Sequence, residues 1–372
     1  MKVRSFIAGF VVAALACGAA LAGLNEIAAD MNAPKGKAGC EITRADDNST
    51  QYARLPSIVA RGGTEVLLLG TSRTKFGFKP EVRHVLGTTT NAALMSASYE
   101  TMRVLLSHWP APAGARVIVE APFGMERRNG LEHWVDPPSP QSRAVALLDV
   151  RPVLTQFLSL EGRERMRSDC RGFPMQVLTP ANADKFDREG RFWHARMHSK
   201  EIPDLAESLL GLRLLIQDAL DRGYRVDVWI PPVHACSMEA GWRAGYRPKA
   251  MEWIRLVAGL TGMTGQNGRP DHVRAWDFSG YNAVTTEPLP VVGSAWQSRY
   301  FSDPGHIMGP VGEGIARQLT GQPVPEDIAG QPLDPSTVDA YLRKQEELRR
   351  AYLVREPGVS SGCAVGRTAA SF

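Results

Sequence analysis

The chain of 372 residues carries 43 Lys and Arg against 39 Asp and Glu, with 44% hydrophobic and 22% charged residues. That balance describes a globular chain of about one to three domains and excludes a disordered one. The net charge of +4 comes with no basic stripe interleaved with aromatics, which excludes nucleic acid as a partner, and the 35 Gly and 26 Pro follow no repeat period, which excludes collagen-like and solenoid architectures.

The N-terminus points to export. Lys2 and Arg4 precede 19 apolar or small residues, Phe6 to Leu24, close to the ~20 that cross a bilayer as a helix. Positive charge before the run, with Glu26 and Asp30 after it, places the N-terminus in the cytoplasm and the rest outside. The run is either a retained single anchor in the inner membrane, with a periplasmic domain, or a signal peptide cut near Ala20-Leu21-Ala22. Cys17 offers a third, lipoprotein, reading, although Ala14-Leu15-Ala16 lacks a large aliphatic residue at its first position. Beyond Cys17 stand Cys40, Cys170, Cys236 and Cys363, which allow three pairings in an oxidising space. No C-x-x-C pair occurs, so zinc-ribbon and thioredoxin readings fail.

Residues 25–60 are polar and irregular and read as a stalk. Thr64 to Gly70 contains a short apolar run closed by glycine, the pattern of a buried parallel strand. An extended stretch at Thr88–Met95 and a helix at Tyr99–Trp109 follow, then a strand at Ala115–Glu120. Residues 124–200 are less regular, with a helical pattern near 143–168, and read as an insertion. A helix at Ile202–Arg222, a strand at Arg225–Ile230, a long helix around 238–260, a strand at His272–Phe278 and a helix at Val311–Leu319 complete the alternation. Strands separated by helices imply βαβ units, hence a mainly parallel sheet in a three-layer α/β/α arrangement. The expected organisation is 1–24 signal or anchor, 25–60 stalk, 61–325 the α/β domain, and 326–372 a terminal helix at Pro335–Leu353 with a Gly/Ser-rich, disordered tail from Glu356.

Functional groups of such a sheet gather at the carboxyl ends of the strands. The first strand ends in Gly70-Thr71-Ser72-Arg73, and far along the chain stands Ser302-Asp303-Pro304-Gly305-His306. Serine alone is a poor nucleophile and requires an adjacent base. A carboxylate three residues before a histidine can hold its Nδ1–H while Nε2 faces the serine, so Ser72, His306 and Asp303 are the candidate nucleophile, base and orienter.

These blocks carry a resemblance. Gly70-Thr71-Ser72 resembles the first block of the SGNH/GDSL hydrolase superfamily, and Asp303-Pro304-Gly305-His306 resembles its last, the D-x-x-H. Leu69 to Arg73, Asn91-Ala92-Ala93-Leu94, Pro231 to Ala235 and Trp276 to Tyr281 are similar to a membrane-anchored subgroup acting in envelope-polymer modification, such as alginate O-acetylation and teichoic-acid D-alanylation proteins. The resemblance spans about residues 64–320 and implies an SGNH-like, flavodoxin-like fold. It also implies an acyltransferase or esterase activity on envelope polysaccharide, with a membrane protein as acyl donor. No coenzyme motif or metal cluster is expected. Gly70 to Gly77 is neither G-x-G-x-x-G nor a Walker loop, and His194 and His198 lack the H-E-x-x-H pattern.

The chain departs from the superfamily at two blocks. The second offers a glycine N–H to the oxyanion, whereas Ala93 to Ser98 holds no glycine, leaving the main-chain N–H of Ser96 or Ala97 as candidates. The third, Gly-x-Asn-Asp, is replaced by Glu120-Ala121-Pro122-Phe123. Loss of one oxyanion donor costs ~2.7–4 kcal/mol, which shifts weight from general hydrolysis toward transfer to a held acceptor, or toward a noncatalytic glycan-binding or assembly role. Further candidates have a structural alternative each. Arg73 is an anion binder or a carboxylate partner, and Glu120 a substrate contact or that partner. His234 is a pocket group or a core histidine, Asn91 belongs to the resemblance, and Trp296 and Tyr300 are a sugar-stacking wall or core packing.

Overall fold

A computed structural model describes residues 55–56, 58–127, 171–174, 178–199, 204–265, 273–291, 293–361 and 363. The Phe6–Leu24 run, Cys17, Cys40 and Cys170, and the helix expected near 143–168 lie outside them. Among the described residues no helix is long and apolar enough to cross a membrane.

Five parallel strands build the sheet: β1 (Val66–Leu69), β2 (Thr89–Asn91), β3 (Arg116–Glu120), β4 (Arg225–Ile230) and β5 (Val273–Asp277). Together with β8 (Gln331–Leu333), antiparallel on the β5 edge, they run in the order β2-β1-β3-β4-β5-β8. The parallel part has the 2-1-3-4-5 order of flavodoxin-like folds, whose ligand crevice lies at the reversal between β1 and β3. β1 is apolar on both faces because helices cover both, which accounts for its four buried residues.

Alternation divides the strands between two cores. Leu67, Leu69, Val117, Val119, Val226 and Val228 point to one face and meet α3 (Tyr99–Ser107), α5 (Leu205–Asp221) and α7 (Arg247–Ala258). Val66, Leu68, Ile118 and Trp229 point to the other and meet α2 (Arg83–Leu86), α4 (Ala183–Ser199), α6 (Ala235–Arg243) and α8 (Gly309–Leu319), while α1 (Ser72–Gly77) packs on α8. The three-layer α/β/α fold is therefore present.

Three segments differ from the sequence reading. The long helix expected over 238–260 is two, α6 and α7, because Gly245 takes a left-handed φ of 88° and Pro248 sits in the first turn of α7. The stretch up to residue 200, read as part of an insertion, ends in α4, whose Phe186 is completely buried in the second core. Within the segment expected as a loose tail from Glu356, the described residues are held: residues 357–361 form a 3₁₀ turn and Cys363 is bonded to Cys236 of α6. A short hairpin of β6 (Phe301–Asp303) and β7 (His306–Ile307) precedes α8. The terminal helix α9 (Val338–Arg355) buries Val338 and Leu342 in the first core and pairs with α6 and α7 through Arg349–Glu239, Arg247–Glu346 and Arg255–Asp339.

Candidate active site

Ser72 opens α1 directly beyond β1. Thr71 caps that helix, its hydroxyl accepting the Arg73 N–H at 3.4 Å. The turn is held from beneath by Glu120 at the end of β3. This carboxylate is completely buried and accepts four hydrogen bonds, from the N–H and hydroxyl of Thr71 and the N–H and hydroxyl of Thr74. A buried carboxylate is tolerated only with such donors. Residue 70 has to be glycine, since a Cβ there would lie 1.9 Å from Thr74 Oγ1 and 2.6 Å from Glu120 Oε2.

His306 arrives on the β6–β7 hairpin, where it pairs with Asp303 across the Pro304-Gly305 turn. His306 Nδ1 lies 2.8 Å from Asp303 Oδ2, and a carboxylate can only accept, so the ring proton is on Nδ1. That leaves Nε2 as the acceptor for the Ser72 hydroxyl, 2.8 Å away across 234 positions of sequence. Asp303 Oδ1 also accepts the Gly305 N–H at 2.8 Å, which fixes the carboxylate plane. Burial pushes the Asp303 carboxyl up, but the hydrogen bonds and charge of the His306 side, with Gly305 N–H and Lys185, outweigh it. The group ends below the ordinary carboxylate value.

Close packing joins the two halves. A Cβ on Gly312 of α8 would lie 2.0 Å from the Gly77 carbonyl oxygen, so this glycine lets α8, which follows the hairpin, seat directly on α1. Ile307 of β7 is buried in the same core as Val311 and Ile315 of α8. Arg73 adds a clasp, its Nε donating to the Gly305 carbonyl at 3.1 Å while a guanidinium nitrogen stands 3.9 Å from Glu120.

No protein-family model matches the chain, and no curated protein is significantly similar to it. Ser72, His306 and Asp303 form one continuous hydrogen-bonded relay at the carboxyl end of β1, beside the strand-order reversal where this class of sheet binds ligands.

The other candidates divide sharply. Ser96 is exposed on the loop after β2 and takes a left-handed φ of 57°, a conformation glycine adopts without cost. That loop is fastened beside the nucleophile by the Leu94 N–H, which donates to the Gly70 carbonyl at 3.0 Å. Ala97 is not an oxyanion donor, because its N–H is directed to the Leu94 carbonyl at 3.2 Å. Asn91 is completely buried; its amide reaches the carbonyls of Lys75 and Phe78 and its oxygen accepts the Ala93 N–H, so it fastens β2 to the end of α1.

His234 is a core residue and not a pocket group. Its Nδ1 accepts the Cys236 N–H, capping α6, and Nε2 donates to the Glu287 carbonyl at 2.8 Å. Burial lowers its pKa to about 4. Its main-chain N–H donates to the Pro304 carbonyl at 2.9 Å, so it supports the Asp303–His306 turn from behind. Trp296 packs edge-on against Phe186 with ring centres 5.3 Å apart, and Tyr300 is buried with its hydroxyl donating to Asp327. Among the described residues no three His, Cys, Asp or Glu side chains group as a metal site.

Thr71 and Thr74 were missed by the sequence reading. The strand-end rule finds Glu120, but that its four donors come from the neighbouring strand's turn follows only from the β1–β3 register.

Proposed function

We propose that this chain is a serine-dependent acyltransferase or esterase of SGNH type. It acts on cell-envelope polysaccharide from the periplasmic side, where the Phe6–Leu24 run holds or delivers it. The observation that carries the reading is the relay of two 2.8 Å hydrogen bonds, Ser72 to His306 and His306 to Asp303. The Cys236–Cys363 disulfide supports an oxidising compartment.

In the first half-reaction the Ser72 proton passes to His306 Nε2 as Oγ bonds the donor's acyl carbon. The main-chain N–H groups of Ser72 and Ser96 are the candidate oxyanion donors. Collapse breaks the bond to the leaving oxygen or sulfur, which takes the proton from His306. An acceptor hydroxyl of the glycan, or water, then gives its proton to His306 and bonds the acyl carbon; the Oγ bond breaks and Ser72 regains its proton. Asp303 stays ionised and stabilises the imidazolium in each half. A membrane protein would supply the acyl donor.

A second reading keeps the pocket for noncatalytic glycan binding or assembly. It draws on Glu120, which occupies the third-block strand end buried beneath the turn and brings no side-chain amide to the oxyanion. Treatment with a fluorophosphonate separates the two. Labelling of the wild type that is lost in Ser72→Ala supports chemistry, and a wild type that neither labels nor cleaves an aryl acetate supports binding alone.

A further inference from the structure

The relay leaves one cavity without a role. It lies at the carboxyl ends of β3, β4 and β5 and reaches Arg73 and Gly305, the chain neighbours of Ser72 and His306. Its walls are apolar, formed by Phe123, Met238, Trp242, Trp253, Ile254 and Leu342, and its volume is about 140 Å³. An apolar cavity on the order of 150 Å³ stays dry and takes up a molecule the size of benzene. Its polar groups are few. The Asp277 carboxylate is occupied by the N–H and hydroxyl of Ser279 and the hydroxyl of Tyr341, and burial pushes its pKa up. Among the described residues the buried Ser237 hydroxyl has no hydrogen-bond partner. Arg73, the cation at the cavity's edge, is engaged by the Gly305 carbonyl and Glu120, and the remaining walls are apolar, so an uncharged occupant fits best.

We infer that this cavity is a chain-length-selecting subsite for an uncharged hydrocarbon chain of about six carbons, carried by the ester on which Ser72 acts. The inference rests on the catalytic reading of Ser72 for the identity of the ligand, and on the cavity alone for its size and polarity. It predicts that the ester is more than an acetyl group on a sugar: an apolar tail on its acyl or its alcohol side enters beside Arg73 and Gly305. Gly241 provides the means to test it. It lines the cavity, and a Cβ there meets only Tyr246, at an ordinary 3.6 Å, so a larger side chain fills the chamber without displacing backbone.

Ethyl hexanoate, hexyl acetate and ethyl acetate are titrated into the full Ser72→Ala protein, with tryptophan fluorescence as the signal because Trp242 and Trp253 line the cavity. Each buried methylene strengthens binding about fourfold, so the six-carbon esters bind on the order of 100-fold more tightly than ethyl acetate. Gly241→Leu in the same background removes that advantage, and Met251→Ala, at a partly exposed wall position, shifts the preference to longer chains. Equal binding of all three esters overturns the inference, as does a six-carbon advantage that neither variant changes. Turnover by the wild type then assigns the side: a higher kcat/KM for ethyl hexanoate places the chain on the acyl group, and for hexyl acetate on the alcohol. Binding in Ser72→Ala with neither labelling nor turnover in the wild type overturns the catalytic reading and leaves the cavity assignment standing.

Discussion

The Glu120 carboxylate accepts the main-chain N–H of Thr71 at 2.7 Å and that of Thr74 at 3.2 Å, so the end of one strand holds the nucleophile's turn at the end of its neighbour. Alanine removes both acceptor oxygens and leaves the main-chain N–H groups of Thr71 and Thr74, which can only donate, without them. An unsatisfied buried polar group costs about 1–3 kcal/mol. Glu120→Ala is therefore expected to lower the unfolding free energy measured in urea by at least that order and to slow fluorophosphonate labelling of Ser72 at least tenfold. Because Glu120 acts through the turn, the loss falls on kcat more than on KM. A variant with wild-type stability and labelling rate would remove Glu120 from the machinery.

Asp303 and His306 are expected to contribute unequally. His306→Ala leaves Ser72 without a base and nearly abolishes labelling. Asp303→Asn keeps the shape but loses both the Nδ1–H tautomer and the charge facing the imidazolium, a change that costs ~10⁴ in kcat in a serine protease. The depressed Asp303 pKa adds a sign: its contribution to stability is present above the ordinary carboxylate value and is lost only as pH falls through the lower, folded value. An acid limb of activity above about pH 4 is thus not protonation of Asp303. Labelling untouched by either substitution would disconnect the relay from the chemistry.

The parts legible in the sequence are those with a local signature. Four consecutive buried aliphatic residues mark β1, and the Asp303-to-His306 spacing marks the relay's second half, because both patterns are complete within one segment. The β6–β7 hairpin escapes notice because strands of three and two residues have no periodicity to read. His234 shows the limit of reading strand ends: its position suggests a pocket, but the ring turns inward to cap α6 and meet the Glu287 carbonyl. Ala97 shows another, since whether an N–H is available depends on the Leu94 carbonyl three residues away taking it first. The Gly245 and Pro248 signals that split one helix into two were present in the sequence, outweighed by a continuous apolar pattern.

The Cys236–Cys363 bond joins positions 127 apart in sequence and fastens the end of the chain to α6, the helix capped by His234. A disulfide closing a loop of that length stabilises by about 2–5 kcal/mol, largely through the unfolded state. Cys363→Ser is expected to lower stability by that order while leaving the rate of Ser72 labelling at low temperature within about threefold, because the bond lies outside the relay. Peptide mapping without reductant should recover the pair, and recovery of Cys236 as a free thiol from protein prepared without reductant would contradict it.

The last prediction turns on His234. Its folded pKa of about 4 lies below the ordinary ~6.5, because burial penalises the charged ring more than the Glu287 carbonyl favours it. Between those two values the unfolded chain binds a proton that the folded chain does not, so stability falls as pH drops through that window. The loss between pH 7.5 and 5 is about 2 kcal/mol. The buried carboxyls Glu287 and Asp277 act in the opposite sense, since both are raised by burial and their contribution is fully present below the ordinary carboxylate range. His234→Asn isolates the histidine: the shorter amide can still cap α6 but carries no titratable group. It is expected to be less stable than the wild type at pH 7.5, having lost the bond to Glu287, and to lack the wild type's decline of about 2 kcal/mol toward pH 5. Because the His234 N–H also supports the Pro304 carbonyl behind the relay, acid unfolding of the wild type should be preceded by faster opening of the 301–307 hairpin, read by hydrogen exchange at Ile307. Parallel stability curves for the wild type and His234→Asn between pH 7.5 and 5 would show that the buried ring is not what makes the fold acid-sensitive.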